Sequence, residues 1–180
     1  MISQIKTLMI NVLFKLLHPT IITNNVHHIR LGTEIVLLAN GKLDIGNRVS
    51  THKRVTFSIV GGKLKIGNNT SFNRNDIIVC HDTVIIGENC SFGPNVVIYD
   101  HDHKFSIEGH EKNEYNTSPI IIGDNCWIGA NTTILRGTHI GEGCVIGAGT
   151  IVKGEIPPHS LVMSNREMII RPIEEKDREY

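Results

Sequence analysis

Two histidines and two aspartates alternate in the segment Asp100-His101-Asp102-His103. An imidazole titrates near neutral pH, so either His101 or His103 could take a proton from a hydroxyl group. A carboxylate beside an imidazole can hold its other ring nitrogen, which makes Asp100 or Asp102 a candidate for orienting the base. Side chains alternate along an extended segment, so the two histidines should point to the same side, and the residues alone leave both as candidates.

A six-residue repeat surrounds this segment. An aliphatic or aromatic residue recurs at every sixth position before and after it: Ile86, Phe92 and Ile98, then Ile122, Ile128, Ile134, Ile140, Ile146 and Val152. Ile-Gly followed by a polar turn also recurs, as at Ile45-Gly46 and Ile66-Gly67. The repeat is absent from Asp100 to Ser118, so the histidines lie at the start of a polar excursion from a regular frame.

A period of six predicts short strands joined by two-residue turns, and three such sides close one triangular coil. Successive coils then stack as parallel strands, so that Ile122 packs against Ile140 on the next coil. Cys90, Cys126 and Cys144 each lie four residues after an inward Ile, which predicts that they are core residues and unreactive. The predicted fold class is therefore all-β, a parallel β-helix.

The chain is predicted to form one domain with three parts. Residues 1–19 have the apolar spacing of an amphipathic helix, which we expect to pack on the body of the protein or on a neighbouring subunit in preference to a membrane surface. Residues 26–157 form the β-helix, with residues 100–118 as an extruded loop. Residues 158–180 form a cap, because Pro157-Pro158 should prevent another strand.

Composition limits the classes of partner and compartment. The 18 basic residues balance the 18 acidic residues and form no basic run, which gives no reason to expect nucleic acid. The four cysteines form no C-x-x-C pair, and the chain has no secretory signal with a small-residue cleavage site. We therefore expect a reducing, cytoplasmic setting.

These features together resemble the hexapeptide-repeat acyltransferases. The resemblance is carried by the hexads, by residues 124–131 (DNCWIGAN), by residues 145–150 (VIGAGT) and by the exit at residues 156–158 (IPP). Within the family, the chain is most similar to O-acetyltransferases of sugars, such as galactoside and maltose acetyltransferases and those of surface-polysaccharide synthesis. The resemblance implies a left-handed β-helix and a homotrimer. It also implies acetyl-CoA as co-substrate, held in the groove between neighbouring subunits, and a sugar or glycan acceptor at the same intersubunit site. No metal is expected.

The resemblance also assigns roles to single residues. His103 matches the family's catalytic histidine, which favours it over His101. Asn73 matches a residue that lines the acceptor site, and Trp127 matches an aromatic residue beside the acetyl end. Positions that match contacts with the coenzyme are Ala130, Ala148, Lys153 and Arg171. His81 stands where sugar acetyltransferases can carry an acid, so the chain departs from the family's acceptor site there.

Structural roles and other functions compete with this interpretation. Asn73 begins a turn-like run and could be a plain turn residue, Trp127 could cover an intersubunit face, and Lys153 and Arg171 could be surface charges. One alternative function is a trimeric zinc enzyme of the γ-carbonic anhydrase type, but the chain lacks that family's H-x-x-x-x-H pair. A second is a non-catalytic β-helix scaffold, which gives no reason for a histidine at the root of the excursion.

Overall fold

A computed structural model of the chain describes residues 22–23, 29–30 and 32–164. All regular elements in this part are β-strands, and none is a helix long and apolar enough to cross a membrane. The helix predicted at residues 1–19 and the predicted coenzyme contact Arg171 lie outside the described residues.

Three parallel sheets form the sides of the molecule, and the strands are numbered in chain order. Sheet A contains β1 (Ile22–Thr23), β3 (Lys42–Ile45), β6 (Lys63–Ile66), β9 (Thr83–Ile86), β14 (Ile120–Ile122), β17 (His139–Ile140) and β20 (Glu155–Ile156). Sheet B contains β4 (Ser50–Thr51), β7 (Ser71–Phe72), β10 (Ser91–Phe92), β15 (Trp127–Ile128), β18 (Val145–Ile146) and β21 (Leu161–Val162). Sheet C contains β2 (Glu34–Leu38), β5 (Thr56–Val60), β8 (Ile77–Cys80), β11 (Val97–Tyr99), β16 (Thr133–Leu135) and β19 (Ile151–Val152). The remaining two strands, β12 (His101–Ser106) and β13 (Gly109–Thr117), form a separate antiparallel pair.

The chain visits the three sheets in turn and forms a parallel β-helix of about six coils, which confirms the predicted fold class. Inward residues stack in register along each sheet, as Ile86, Ile122 and Ile140 do in sheet A, and all three are at most 2% exposed. Removing such side chains from water is the main stabilising term. The glycine after each inward Ile faces the next coil closely. A Cβ on Gly87, for example, would lie 2.7 Å from the backbone nitrogen of Asp124.

The cysteines are core residues, as the repeat predicts. Cys90, Cys126 and Cys144 are buried on adjacent coils, in the column that Thr70 occupies on an earlier coil. The Cys126 thiol donates to the carbonyl oxygen of Gly141 at 3.2 Å, much as the Thr70 hydroxyl donates to a turn carbonyl on its own neighbouring coil. Small side chains with one donor therefore satisfy the turn carbonyls inside the core.

The three edges where the sheets meet differ in their turns. The A–B corner contains residues 47–48, 68–69, 88–89, 124–125, 142–143 and 158–159. The B–C corner contains residues 53–54, 74–75, 94–95, 130–131 and 148–149. Asparagines at both corners adopt left-handed φ angles, and their amides bond along the helix axis, as from Asn75 to Asn95 (2.9 Å) and from Asn95 to Asn131 (3.0 Å). Asparagine suits these positions because it tolerates positive φ and brings its own donor and acceptor.

All length variation among the coils falls at the third edge, the C–A corner, where the chain passes from sheet C to sheet A. The early coils are 21 and 20 residues long, from Ile45 to Ile66 and from Ile66 to Ile86, because their strands in sheets C and A have four or five residues. Between Ile86 and its stacked partner Ile122, the chain inserts β12 and β13 at this corner. An insertion here leaves the stacking of the three sheets intact.

The prediction that Pro157-Pro158 prevents another strand is wrong. The two prolines lie in the turn at the A–B corner, and β21 follows them and pairs with β18 through Val145 with Leu161 and Ile146 with Val162. A proline in a turn removes no ladder donor, so the coil continues past it.

Candidate functional site

The polar excursion predicted as a loop is a β-hairpin. Its strands β12 and β13 pair antiparallel, with His101 opposite Thr117 and His103 opposite Tyr115, and a bulge follows His103. The exposed pair Lys104 and Glu114 joins the strands at 2.9 Å, and this ion pair raises the pKa of Lys104 and lowers that of Glu114. The sequence did not reveal the hairpin because both of its faces are largely polar and its register depends on the bulge.

Asp100 anchors the root of the hairpin. Its side chain is fully buried, and its carboxylate accepts the backbone N–H groups of His81 and Asp82, both at 2.8 Å. Its backbone carbonyl accepts the N–H of Ser118 at 2.9 Å, which brings the two ends of the hairpin together. The buried carboxylate therefore fixes the place at which the hairpin leaves the coil.

Three imidazoles and a phenol form one cluster at this root, which we call the His–Tyr cluster (His81, His101, His103 and Tyr115). His81 stacks on His101 with ring centroids 3.9 Å apart. The Tyr115 ring contacts all three, at centroid distances of 4.5 Å from His81, 5.3 Å from His101 and 4.8 Å from His103. The hairpin thus places Tyr115 next to histidines on two successive coils.

The environment of His81 favours its neutral imidazole, because its pKa is lowered. Burial lowers its pKa, the positive charges that His101 and His103 can carry lower it further, and Asp100 opposes both effects only in part. A neutral imidazole at this position can accept or donate a hydrogen bond without carrying charge into the cluster.

The structure distinguishes His101 from His103, which the residues alone left equivalent. The His101 side chain is 13% exposed, with its Nδ1 atom 3.4 Å from Asp100 Oδ1 and its ring packed against His81. The His103 residue is exposed to solvent. A substrate can therefore reach His103 more readily than His101, which is consistent with His103 as the base; its catalytic role stays a prediction.

The two predicted orienting acids have identified partners. Asp100 contacts His101 and the backbone of the preceding coil. Asp102 forms an ion pair with Nε of Arg136, which lies just after β16 on the next coil. Arg136 thereby ties the first strand of the hairpin to the body of the β-helix.

Asn73 lies far from this cluster within one chain. It lies next to the B–C corner, before β8, whereas His81 follows β8 at the C–A corner. A strand residue advances about 3.3 Å, so the two ends of sheet C are separated by roughly 20 Å. Asn73 is half-buried, and its backbone N–H donates to Asp76 Oδ2 at 2.7 Å.

The remaining predicted contacts are also spread over the prism. Trp127 is 58% exposed on the outer face of sheet B. Ala130 and Ala148 lie at the B–C corner on successive coils, and Lys153 follows β19 on sheet C and is exposed. A single chain therefore brings the residues of the hairpin together. It leaves them far from the residues of the B–C corner.

Sequence reasoning missed three members of the site. Tyr115 and Arg136 enter only through the hairpin register and the stacking of the next coil. His81 was noted only as a departure from a family pattern. A signal for it existed, because His81 precedes His101 by the 20 residues that separate stacked positions on those coils, as between Val79 and Tyr99.

Metal ligation has no candidate site in the described part of the chain. No group of three or more His, Cys, Asp or Glu side chains within residues 22–23, 29–30 and 32–164 is arranged to hold a metal ion.

Burial and the charge of Asp100 raise the pKa of the Cys80 thiol, so this cysteine is a poor nucleophile although it directly precedes His81 of the cluster.

Comparisons with known proteins agree with this architecture. The family profile described as "Hexapeptide repeat of succinyl-transferase" matches residues 83–98 and 119–153. A probable acetyltransferase of Mycobacterium tuberculosis is 31% identical over 88% of this chain and 54% of its own length. The galactoside O-acetyltransferase of Escherichia coli is 37% identical over 76% of this chain and 66% of its own length. The chain thus spans about half to two thirds of the length of these relatives.

Solved structures share the fold. A maltose O-acetyltransferase from Clostridium difficile is 32% identical, with a TM-score of 0.62 over 72% of this chain and 69% of that one. An N-acyltransferase from Bacillus cereus has a TM-score of 0.70 over 93% of this chain and 91% of its own, but at 18% identity it shows the fold alone. The repeat, the coil stacking and the shared sequence converge on one conclusion: the chain belongs to the hexapeptide-repeat acyltransferase family.

Proposed function

We propose that this protein is an acetyl-CoA-dependent O-acetyltransferase that acts on a sugar hydroxyl, in the synthesis of a surface polysaccharide. The observation that supports it most directly is the His–Tyr cluster, in which His103 is exposed at the root of the hairpin while His101 is held by Asp100 and His81. The relatives named for galactoside and maltose O-acetylation support the sugar acceptor and the acetyl donor.

His103 is the general base in this reaction. Its neutral imidazole takes the proton of the acceptor hydroxyl as that oxygen attacks the thioester carbon. The C–S bond of the tetrahedral intermediate then breaks, and the imidazolium returns the proton to the leaving thiolate of coenzyme A. Tyr115 holds one side of the His103 ring, which limits its rotation.

The active form proposed is a homotrimer. Asn73, Ala130 and Ala148 lie near one edge of the prism and His103 at another, so a complete site needs the B–C corner of one subunit beside the C–A corner of its neighbour. The hairpin tip supports this arrangement, because Phe105 and Ile107 are 80% and 104% exposed and large apolar side chains favour a covering surface. The reaction is proposed to take place in the cytoplasm.

Thiol release from acetyl-CoA tests the function. The wild-type protein is incubated with acetyl-CoA and a panel of sugars and sugar nucleotides, and free coenzyme A is followed with a thiol reagent. Replacing His103 by Ala should lower kcat by about 10²- to 10⁴-fold, the usual contribution of a general base. His159→Ala is the matched control, since His159 is an exposed histidine at the A–B corner.

Three results would contradict the proposal. Full activity of His103→Ala would exclude His103 as the base, and comparable loss in His101→Ala alone would assign that role to His101. Hydrolysis of acetyl-CoA without acetylation of any sugar in the panel would argue against a sugar acceptor.

A further inference from the structure

The B–C corner changes its chemistry along the helix axis. One position of this corner is occupied on successive coils by Lys53, Arg74, Pro94, Ala130 and Ala148, and backbone hydrogen bonds between the coils fix this order. The late coils therefore present small, neutral residues at this position, and the early coils present cations. The two halves of the edge suit different parts of a substrate complex.

The early coils concentrate positive charge, and we call this surface the basic corner (His52, Lys53, Arg54 and Arg74). All four residues are exposed. The Lys53 carbonyl accepts the N–H of Asn75, so Arg74 lies directly over Lys53 at the coil spacing of about 4.8 Å. Three full positive charges thus lie on two adjacent turns, where they repel one another unless an anion is present.

The exposed Glu34, which lies opposite Thr56 on the neighbouring strand, accepts the Thr56 hydroxyl at 3.5 Å and forms no ion pair with the basic corner. Within residues 22–23, 29–30 and 32–164, none of the ion pairs involves Lys53, Arg54 or Arg74. The acid nearest in sequence, Asp76, is 1% exposed and uses both carboxylate oxygens on backbone N–H groups, those of Asn73 (2.7 Å) and Val96 (2.9 Å). Burial also raises the pKa of Asp76 to about 7, which weakens it further as a counter-charge.

Asp76 also joins the basic corner to the acceptor side of the site. By holding the backbone of Asn73, it fixes the turn in which the N–H of Arg74 donates to Asn73 Oδ1 at 2.9 Å. The Asn73 amide and the Arg74 guanidinium are thus carried on one rigid turn, so a ligand that reaches one can contact the other.

We propose that the basic corner binds the phosphate of the acceptor, so that the acceptor is a sugar carrying a phosphate or diphosphate and not a free neutral sugar. This inference rests on the proposed function, since it takes Asn73 as a residue of the acceptor site. Arg74 donates to the phosphate oxygens in the bidentate geometry of a guanidinium, and Lys53 and Arg54 add charge. The neutral half of the edge, at Pro94, Ala130 and Ala148, leaves space for the uncharged arm of the acyl donor.

Direct binding tests the proposal without requiring turnover. Calorimetric titrations of the full chain use UDP-glucose, inorganic pyrophosphate and glucose as probes. We expect UDP-glucose to bind at least tenfold more tightly than glucose, and pyrophosphate to compete with it. Arg74→Gln should weaken UDP-glucose binding by about tenfold, the effect of losing a hydrogen bond between charged groups. Lys63→Gln, an exposed cation on sheet A of the same coils, is the matched control and should change nothing.

A titration with a lipid-linked probe identifies the source of the phosphate. An isoprenyl-diphosphate-linked glucose is titrated in parallel, and tighter binding of this probe or of UDP-glucose shows whether the acceptor is carried by a lipid or by a nucleotide. Loss of either affinity in Arg74→Gln supports the proposal.

Three results would overturn it. Equal affinities of wild type and Arg74→Gln for both diphosphate probes would show that the basic corner does not contact the phosphate. Weaker binding of acetyl-CoA alone in the variant would assign the corner to the phosphates of the acyl donor. Flotation with phosphatidylglycerol vesicles that depends on Arg74, without binding of any diphosphate probe, would identify a membrane-facing surface.

Failure of the proposed function gives a different signature. If no sugar, phosphorylated or neutral, is acetylated but Arg74→Gln still weakens UDP-glucose binding, the phosphate site stands and the reaction is wrong. If neutral sugars are acetylated with the same KM as their phosphorylated forms in both proteins, the reaction stands and the phosphate site is wrong.

Discussion

The C–A and B–C corners are built from the same stacked coils, yet they use the stacking in opposite ways. The B–C corner keeps one turn geometry on every coil, with the asparagines of its ladder at φ angles near 60°. The C–A corner varies in length and carries the hairpin, the His–Tyr cluster and the buried Asp100. A repeat that satisfies its own hydrogen bonds on two edges can vary the third without losing its core.

The difference indicates which corner suits ligand binding and which suits a reaction. Side chains at the regular corner are presented in columns at fixed spacing, which suits the binding of an extended or charged ligand. Side chains at the varied corner converge from two coils and a hairpin, which suits a reacting centre.

Removing the hairpin should have the largest effect on activity and a small effect on folding. Residues 101–117 can be replaced by Gly-Gly, because the Ser118 N–H already bonds the Asp100 carbonyl across the gap. Acetyl transfer should fall by at least about 10²-fold, since the proposed base is lost. The β-helix should keep its circular dichroism spectrum. Retained activity would place the reacting centre elsewhere, and a loss of the β-helix spectrum would show that the hairpin also supports folding.

A cavity in the core should have a large effect on folding and a small effect on activity. Ile134 is fully buried in sheet C between Ile98 and Val152 on the neighbouring coils. Ile134→Ala should lower the free energy of unfolding by about 2–5 kcal/mol, through lost burial and the cavity left behind. Urea denaturation measures this, with the outward neighbour Thr133→Ala as control. Equal losses in both variants would show that burial at Ile134 is not what stabilises the coil.

Asp76 should make stability depend on pH in an unusual direction for a carboxylate. Burial raises its pKa from 3.8 to about 7, so between these values the folded protein binds a proton that the unfolded chain has released. Stability from this group therefore falls as pH rises from about 4 to 7, by up to about 4 kcal/mol. Asp76→Asn should remove this component from thermal unfolding curves, while Asp44→Asn, on the outer face of sheet A, should keep it. An unchanged pH profile in Asp76→Asn would contradict the assignment.

His81 should have the smallest effect on stability, and its pH dependence should have the opposite sign to that of Asp76. Its pKa is lowered in the folded protein, so the unfolded chain binds a proton first as pH falls through the ordinary histidine range. Stability from His81 is thus lost on acidification, and the loss is small because solvent screens a partly exposed group. His81→Asn should reduce this loss between pH 7 and 5, and the exposed His52→Asn should not. The same loss of stability in the wild type and in His81→Asn would exclude His81 as its source.

Much of the fold was predictable because the period of the sequence is the period of the structure. Ile122 stacks on Ile140, and Ile128 on Ile146, as the hexads predict. The predicted strand stop at Pro157-Pro158 is wrong because a proline stops a strand only where its missing N–H belongs to the ladder. The sequence predicts a loop in place of the hairpin because the six-residue repeat is absent there and the pairing register depends on one bulge.

The β-helix, the buried cysteines and the place where the six-residue repeat breaks are all predictable from the sequence, because each follows from local periodicity and side-chain size. The tertiary structure alone showed that His103 is more exposed than His101, brought His81 and Tyr115 into one cluster, and placed Asn73 at the far end of sheet C. These relations join residues on different coils and strands. They depend on which coil stacks on which and on the register of the hairpin, and neither quantity is encoded in any single repeat.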